Sequence, residues 1–259
     1  MNRILFFMIF YMFGTGILIA QQSRFDTANS LLEENSYSEA IQLYKSIADD
    51  GYDSGALWLN MGVAYSQVDS LGLAKFYLLK AKNYRETANP AEEALTYVND
   101  RFSRQSAVLP DLPWDRFFSY LSDSYGVSFI AISALIIFYL AVALLIGSWF
   151  RVDYVKPLRY SSYTMLITAL LIFLLSWIVY YQDNRYDTAV MVGRESTVYE
   201  QPREDASVIT TAFEGYKLKI DNNRVASTDD NNQDGNDWVY IRLENGMYGW
   251  IQCDGLKRL

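Results

Sequence analysis

The chain has no histidine and a single cysteine, Cys253, in 259 residues. Without histidine, the most common general base and the most common transition-metal ligand are missing. One cysteine excludes an intrachain disulfide, a zinc knuckle and a CxxC redox pair. The sequence also has no glycine-rich phosphate loop and no G-x-S-x-G elbow, and Cys253 has no histidine to activate it. A non-enzymatic protein with no cofactor is therefore expected. Positive charge is scarce as well: 22 Lys and Arg stand against 30 Asp and Glu, for a net charge of −8 and a pI near 4.7. Nucleic acid is a poor partner for that balance.

What the chain has in abundance is long apolar sequence. Residues Val127–Phe150 and Tyr163–Tyr181 contain no Asp, Glu, Lys or Arg. As helices they would extend roughly 36 and 28 Å, enough to cross a hydrocarbon core. Each run ends in aromatics: Trp149 and Phe150 on one, Trp177, Tyr180 and Tyr181 on the other. This is the pattern of interfacial belts around a membrane hairpin. The turn between them, 151–162, carries Arg151, Lys156 and Arg159 against Asp153 alone. Basic residues concentrate in short cytoplasmic loops, so the turn is expected inside and both flanking segments outside.

The first twenty residues, MNRILFFMIFYMFGTGILIA, place one arginine ahead of an apolar run broken at Gly14 and Gly16. They are expected to be a signal peptide cut before Gln21, although Leu18 stands where a small residue is usual; an uncleaved anchor also fits. Both put residue 21 onward outside, in agreement with the turn.

Residues 22–108 repeat with a 34-residue spacing: Ala28, Leu31, Ala40 and Tyr44 recur as Gly62, Tyr65, Ala74 and Leu78. Small residues at Ala28/Gly62 and Ala40/Ala74 would let two helices of each copy approach closely, with larger residues filling the gaps beside them. Asn35–Ser38 and Asp69-Ser70 supply the turns, with Ser38 as an N-cap, and Pro90–Ser106 reads as a capping helix. In the second copy Trp58, Gly62, Tyr65, Ala74 and Ala81 stand where a tetratricopeptide repeat has its W, G, Y, A and A, and the segment resembles that family. The resemblance implies a concave groove for peptides or partner helices, with Asn29, Asn60 and Tyr65 as its exposed residues. A juxtamembrane segment, 109–126, follows. Its Trp114, Phe117, Phe118, Tyr120 and Leu121 fit either an amphipathic helix at the outer membrane face or packing on neighbouring elements.

After the second span, residues 187–259 change to short alternating runs and turns, including Glu214-Gly215 and the hairpin signal Glu244-Asn245-Gly246. Val198, Pro202, Val208, Phe213-Glu214-Gly215, Trp238, Asn245-Gly246 and Gly249-Trp250-Ile251 resemble a bacterial SH3-like domain. Five or six strands are expected to bury Val208, Leu218, Ile220, Val239, Ile241 and Ile251. The resemblance implies an aromatic binding wall of Tyr199, Trp238, Tyr240 and Tyr248, with Trp250 in the core. A long loop, Asp221–Asn236, departs from the family pattern. Within it Asp230, Asn232 and Asp234, followed by Gly235, spell the opening of a calcium loop. Position twelve is Ile241 rather than glutamate, and strands flank the loop, so a solvated polar turn is the main expectation and calcium a weak one.

The expected fold class is a multidomain membrane protein: an all-α tetratricopeptide-type helical repeat domain, a transmembrane helical hairpin and an all-β SH3-like barrel. The order of a signal at 1–20, repeats at 22–108, spans at 127–150 and 163–181, and an SH3-like domain at 187–259 resembles the BatE proteins of the Bacteroides aerotolerance operon. That resemblance implies a bacterial inner-membrane scaffold in envelope stress tolerance, with both domains facing the periplasm. It implies as partners von Willebrand factor A-type membrane proteins and a MoxR-type ATPase system. The alternative is a cell-wall sensor whose SH3-like domain grips peptidoglycan.

Overall fold

The computed structural model of the protein describes residues 22–104, 109–110, 113–150, 155–226 and 238–259. The expected signal segment, Arg151, Asp153 and the calcium candidates Asp230, Asn232 and Asp234 lie outside the described residues. The chain divides into two compact units. One combines the segment up to Val108 with Thr188–Ile220 and Arg224–Leu259; the other is Leu109–Asp187 with Asp221–Asn223.

Among the described residues, the first part of this unit forms five helices: α1 (22–33), α2 (Tyr37–Asp49), α3 (Gly55–Gln67), α4 (Leu71–Lys82) and α5 (Ala88–Arg101). The 34-residue repeat extends to backbone detail. Asn35 and Asp69, one period apart, both adopt positive φ, at 62° and 60°. Asn and Asp tolerate that conformation better than most side chains, and here it turns the chain between paired helices. The same hydrogen bonds recur: Ser36 N–H donates to Leu31 O at 2.8 Å, and Ser70 N–H to Tyr65 O at 3.1 Å. Helix α2 begins one residue after Ser36, so Ser38 lies inside the helix rather than capping it.

Small residues set the helix spacing. Ala28, Ala40 and Ala74 are fully buried. A Cβ on Gly62 of α3 would come within 2.6 Å of Leu78 Cγ and 3.1 Å of its backbone nitrogen on α4. Aromatics fill the space beside them. Tyr77 stacks between Trp58 at 5.7 Å and Tyr65 at 5.3 Å, and Phe25 meets Tyr44 at 5.9 Å.

Among the described residues, the same unit contains seven strands: β1 (Tyr186–Met191), β2 (Glu195–Tyr199), β3 (Val208–Phe213), β4 (Lys217–Ala226), β5 (Trp238–Leu243), β6 (Tyr248–Gln252) and β7 (Leu256–Arg258). Its residues begin at Thr188, two residues into β1, and exclude the short stretch 221–223 of β4. The sheet order is β3-β2-β6-β5-β4-β1-β7, one or two strands more than the five or six expected. Val198, Ala212, Leu218, Ile220, Val239, Ile241, Leu243 and Ile251 form its core. Val208, expected there, is 60% exposed. It begins the edge strand β3 opposite Tyr199, just past an irregularity at Val198/Tyr199 that shifts the register. Strand β4 continues to Ala226, so the first residues of the expected loop are strand.

Helices and sheet pack on each other. Val190 of β1 is fully buried in the helical core, with Val192 beside it. The Gly72 N–H, in the first turn of α4, donates to Glu214 Oε1 at 2.7 Å. A carboxylate is favourable at a helix N-terminus, where backbone N–H groups have no partner within the helix. Arg104 lies 4.3 Å from the centre of the Phe213 ring, and Lys257 Nζ lies 5.3 Å from Phe76 and 5.7 Å from Tyr77.

The second unit contains α6 (Pro113–Tyr125), α7 (Val127–Gly147) and α8 (Val155–Arg185). Helices α7 and α8 are long and apolar enough to cross a membrane, and only 17% and 22% of their most apolar windows are buried. A core helix of a soluble protein would be mostly covered; these expose leucine, isoleucine and aromatic side chains, as a lipid-facing surface requires. Residues 155–162, expected in the turn, are the start of α8, and Ser148–Phe150 follow α7 as a turn. Small residues recur at heptad spacing on the covered sides: Ala134, Ala141 and Ser148 on α7, Ser162, Ala169 and Ser176 on α8. Ser162 Oγ donates to Ala141 O at 2.8 Å and Ser176 Oγ to Val127 O at 3.3 Å. Both bonds define one antiparallel register, which sets Ala134 opposite Ala169. Small residues are what apolar helices need to approach closely in lipid, where no hydrophobic drive brings them together. Arg185, closing α8, pairs with Asp221 at 2.9 Å.

Candidate partner-binding surfaces

Two surfaces follow from the candidate residues. On the helical side Asn29 of α1 and Asn60 of α3 are half-buried neighbours. Asn29 Oδ1 accepts from Asn60 Nδ2 at 2.9 Å and from the Tyr44 hydroxyl at 2.7 Å. This polar link between successive repeats leaves their amides partly engaged. Tyr65, expected to be exposed in the groove, is 5% exposed and stacked on Tyr77. It is a core residue, because its turn of α3 faces α4 rather than solvent.

Burial pushes the Tyr44 hydroxyl up to about 12, with the amide of Asn60 acting against it and the charge of Glu33 with it. Tyr77 is likewise pushed up to about 12, mainly by burial. Between pH 10 and 12 the unfolded chain loses these phenolic protons while the folded chain keeps them. Stability therefore falls as pH rises through that window, by about 2–3 kcal/mol for each tyrosine. In an alkaline titration, phenolate absorbance is expected to reach its full value only as the helical circular dichroism is lost. Tyr44→Phe should remove part of the alkaline destabilisation. Complete ionisation with the helices intact would contradict the burial of these rings.

The second surface is a face of the sheet. Tyr199 of β2 pairs with Trp250 of β6, and Trp250 with Tyr240 of β5. Directly paired residues share a face, and the alternation along each strand puts Trp238 and Tyr248 there too. The intervening Val239, Ile241 and Ile251 point into the core. The Tyr240 ring lies 5.3 Å from Trp250 and 6.1 Å from Tyr248, and Tyr199 lies 5.6 Å from Trp238. Tyr248 is 61% exposed and Trp238 only 7%, so Tyr248 is available to a ligand while Trp238 mainly packs. The Arg224 guanidinium sits 4.6 Å from the centre of the Tyr240 ring.

Two members of this face differ from expectation. Trp250, expected in the core, is only partly buried and forms the centre of the aromatic row. Its position two residues after Tyr248 was the available signal, since alternate strand residues share a face. Arg224 had no sequence signal. It reaches Tyr240 because β4 pairs with β5 through a register shift between Ile220 and Val225.

A cleft of about 320 Å³ lies between α4, α5 and the turns flanking β4 and β6, lined by Lys75, Leu95, Phe102, Tyr216, Lys217 and Glu244 among others. Burial pushes the Lys75 amine down from its ordinary range; Glu244 opposes the shift and Lys217 adds to it. Among the described residues, no group of three or more His, Cys, Asp or Glu side chains is placed to hold a metal ion. No protein-family model, curated protein or solved structure matches this chain.

Proposed function

We propose that this protein is a membrane-anchored, non-enzymatic scaffold that presents a tetratricopeptide-type helical array and an SH3-like sheet to protein partners on one side of the membrane. The observation that carries it is the joint packing of the segments before and after the apolar hairpin, with Val190 from the second segment buried in the core of the first. One folded body cannot lie on two sides of a bilayer, so the hairpin must cross an even number of times. That condition is independent of the charge in the turn, and together they support a cytoplasmic turn and a periplasmic body. The 34-residue recurrence of turns and buried small residues supports the repeat assignment, and the aromatic sheet face supports the SH3-like one. The resemblance to BatE proteins suggests partners of the von Willebrand factor A type near a MoxR-type ATPase.

Topology is tested by cysteine labelling in intact cells, in a Cys253→Ser background. Ala56→Cys and Gln201→Cys are expected to react with a membrane-impermeant maleimide, and Ser161→Cys only after the membrane is permeabilised. Labelling of Ser161→Cys in intact cells would reverse the orientation.

The exposed aromatics with Arg224 beside them favour one second reading, capture of peptidoglycan. Sedimentation of the detergent-solubilised full chain with purified sacculi separates the two. A scaffold stays in the supernatant, whereas a cell-wall sensor pellets and is released by Tyr248→Ala with Trp250→Ala.

A further inference from the structure

We propose that α6 is an interfacial membrane helix whose aromatic side enters the headgroup–acyl boundary beside α7. The proposal rests on α7 and α8 being membrane spans. Trp114, Phe117, Leu121 and Tyr125 recur at three- and four-residue spacing, which places them along one side of α6, with Arg116 on the other. Trp114, Phe117 and Tyr125 are 56%, 52% and 53% exposed. An uncovered row of large aromatic rings is unfavourable in water and marks a surface that meets something apolar.

Continuity identifies the occupant. Only Gly126 separates α6 from the first turn of α7. Across that break the Tyr125 ring stacks on Phe129 at 5.9 Å, and Phe129 is itself 60% exposed on α7. The aromatic side of α6 thus runs directly into the lipid-facing side of the span. Gly126 has φ of 72°, and a Cβ there would meet nothing within 4 Å. The glycine is therefore required by the bend and not by packing, since few other residues adopt that conformation. The bend ends one helix and starts the next without a linker, so α6 cannot leave the neighbourhood of the bilayer. Tryptophan and tyrosine suit that boundary because their rings are apolar with a polar edge.

The test uses full-length protein with Cys253→Ser, reconstituted in phosphatidylcholine vesicles and labelled with an environment-sensitive fluorophore at Phe117→Cys, Arg116→Cys or Ile136→Cys. Ile136 is an exposed residue of α7 and reports on the span itself. With lipids spin-labelled near the top of the acyl chain, quenching at position 117 is expected to exceed that at 116 by about threefold or more, as for a helix lying shallow in the interface. Equal aqueous iodide quenching at 117 and 116 would put this side in water and overturn the proposal. Blue-shifted emission at 117 without lipid quenching would mean that protein covers it, a second copy included, and would overturn it too. If lipid quenching fails at 136 as well, the membrane reading itself falls; if it succeeds at 136 and fails at 117, only the α6 proposal does.

Discussion

Gly62→Leu is expected to lower the stability of the helical array by about 3 kcal/mol, at the upper end of what overpacking a core costs. A Cβ at this position would lie 2.6 Å from Leu78 Cγ, 2.7 Å from Leu78 Cδ2 and 3.1 Å from the Leu78 backbone nitrogen. A side chain alone would rotate away, but the Leu78 backbone nitrogen stands 3.1 Å from the same point. Helices α3 and α4 would have to separate, and Leu78 and Met61, both fully buried, would lose packing with them. Ala56→Leu on the exposed side of the same helix is the control, and should leave the melting temperature within a degree or two. The measurement is thermal unfolding of the full chain in detergent, followed by helical circular dichroism. In a unit of this size, about 3 kcal/mol corresponds to a drop on the order of 6–12 °C. Equal melting of the two variants would mean that α3 and α4 do not touch at this point.

Gly215→Ala is expected to cost about 2–4 kcal/mol, for two separable reasons. The residue has φ of 82°, where an alanine is strained by about 1 kcal/mol or more. A Cβ there would also lie 2.2 Å from Phe102 Cζ, so the methyl group would drive the β3–β4 turn away from the end of α5. Displacing that turn would also pull Glu214 from the Gly72 N–H. The two contributions can be measured apart in a Phe102→Ala background. Without the ring only the backbone strain remains, and Gly215→Ala should then cost about 1 kcal/mol. The coupling between the mutations is thus about 1–3 kcal/mol. Additive effects in chemical unfolding of the full chain would mean that the sheet and the helices do not meet there.

Much of the candidate site could be read from the chain because it depends on local periodicity. Strand alternation places Trp238 and Tyr240 on one side of β5 and Tyr248 and Trp250 on one side of β6; the pairing of Tyr240 with Trp250 puts both on the same face of the sheet. Trp250 marks the limit of that pattern, because alternation says which residues share a face while exposure depends on what covers it. Tyr65 shows the same limit in a helix. Its repeat position is evident at the 34-residue spacing, yet only the position of Tyr77 on the facing helix makes it core. Val208 is outside the expected core because it begins β3, the strand at the edge of the sheet, just past the irregularity at Val198/Tyr199, and strand order is not written in local periodicity.

The amino-acid sequence by itself determined the elements with short-range causes. Two uncharged runs are membrane-length helices because of their length and composition. Paired small residues a repeat apart are helix contacts because only they admit close approach. Alternating residues after the second run are strands. The tertiary structure alone decided that the segments on either side of the hairpin form one body. Val190 enters a core built more than a hundred residues earlier, Glu214 meets the first turn of α4, and Gly215 leaves room for Phe102. No periodicity encodes such contacts. Each depends on the simultaneous position of two surfaces that are adjacent only after both have folded, and a buried valine or a turn glycine looks the same in sequence whichever core it fills.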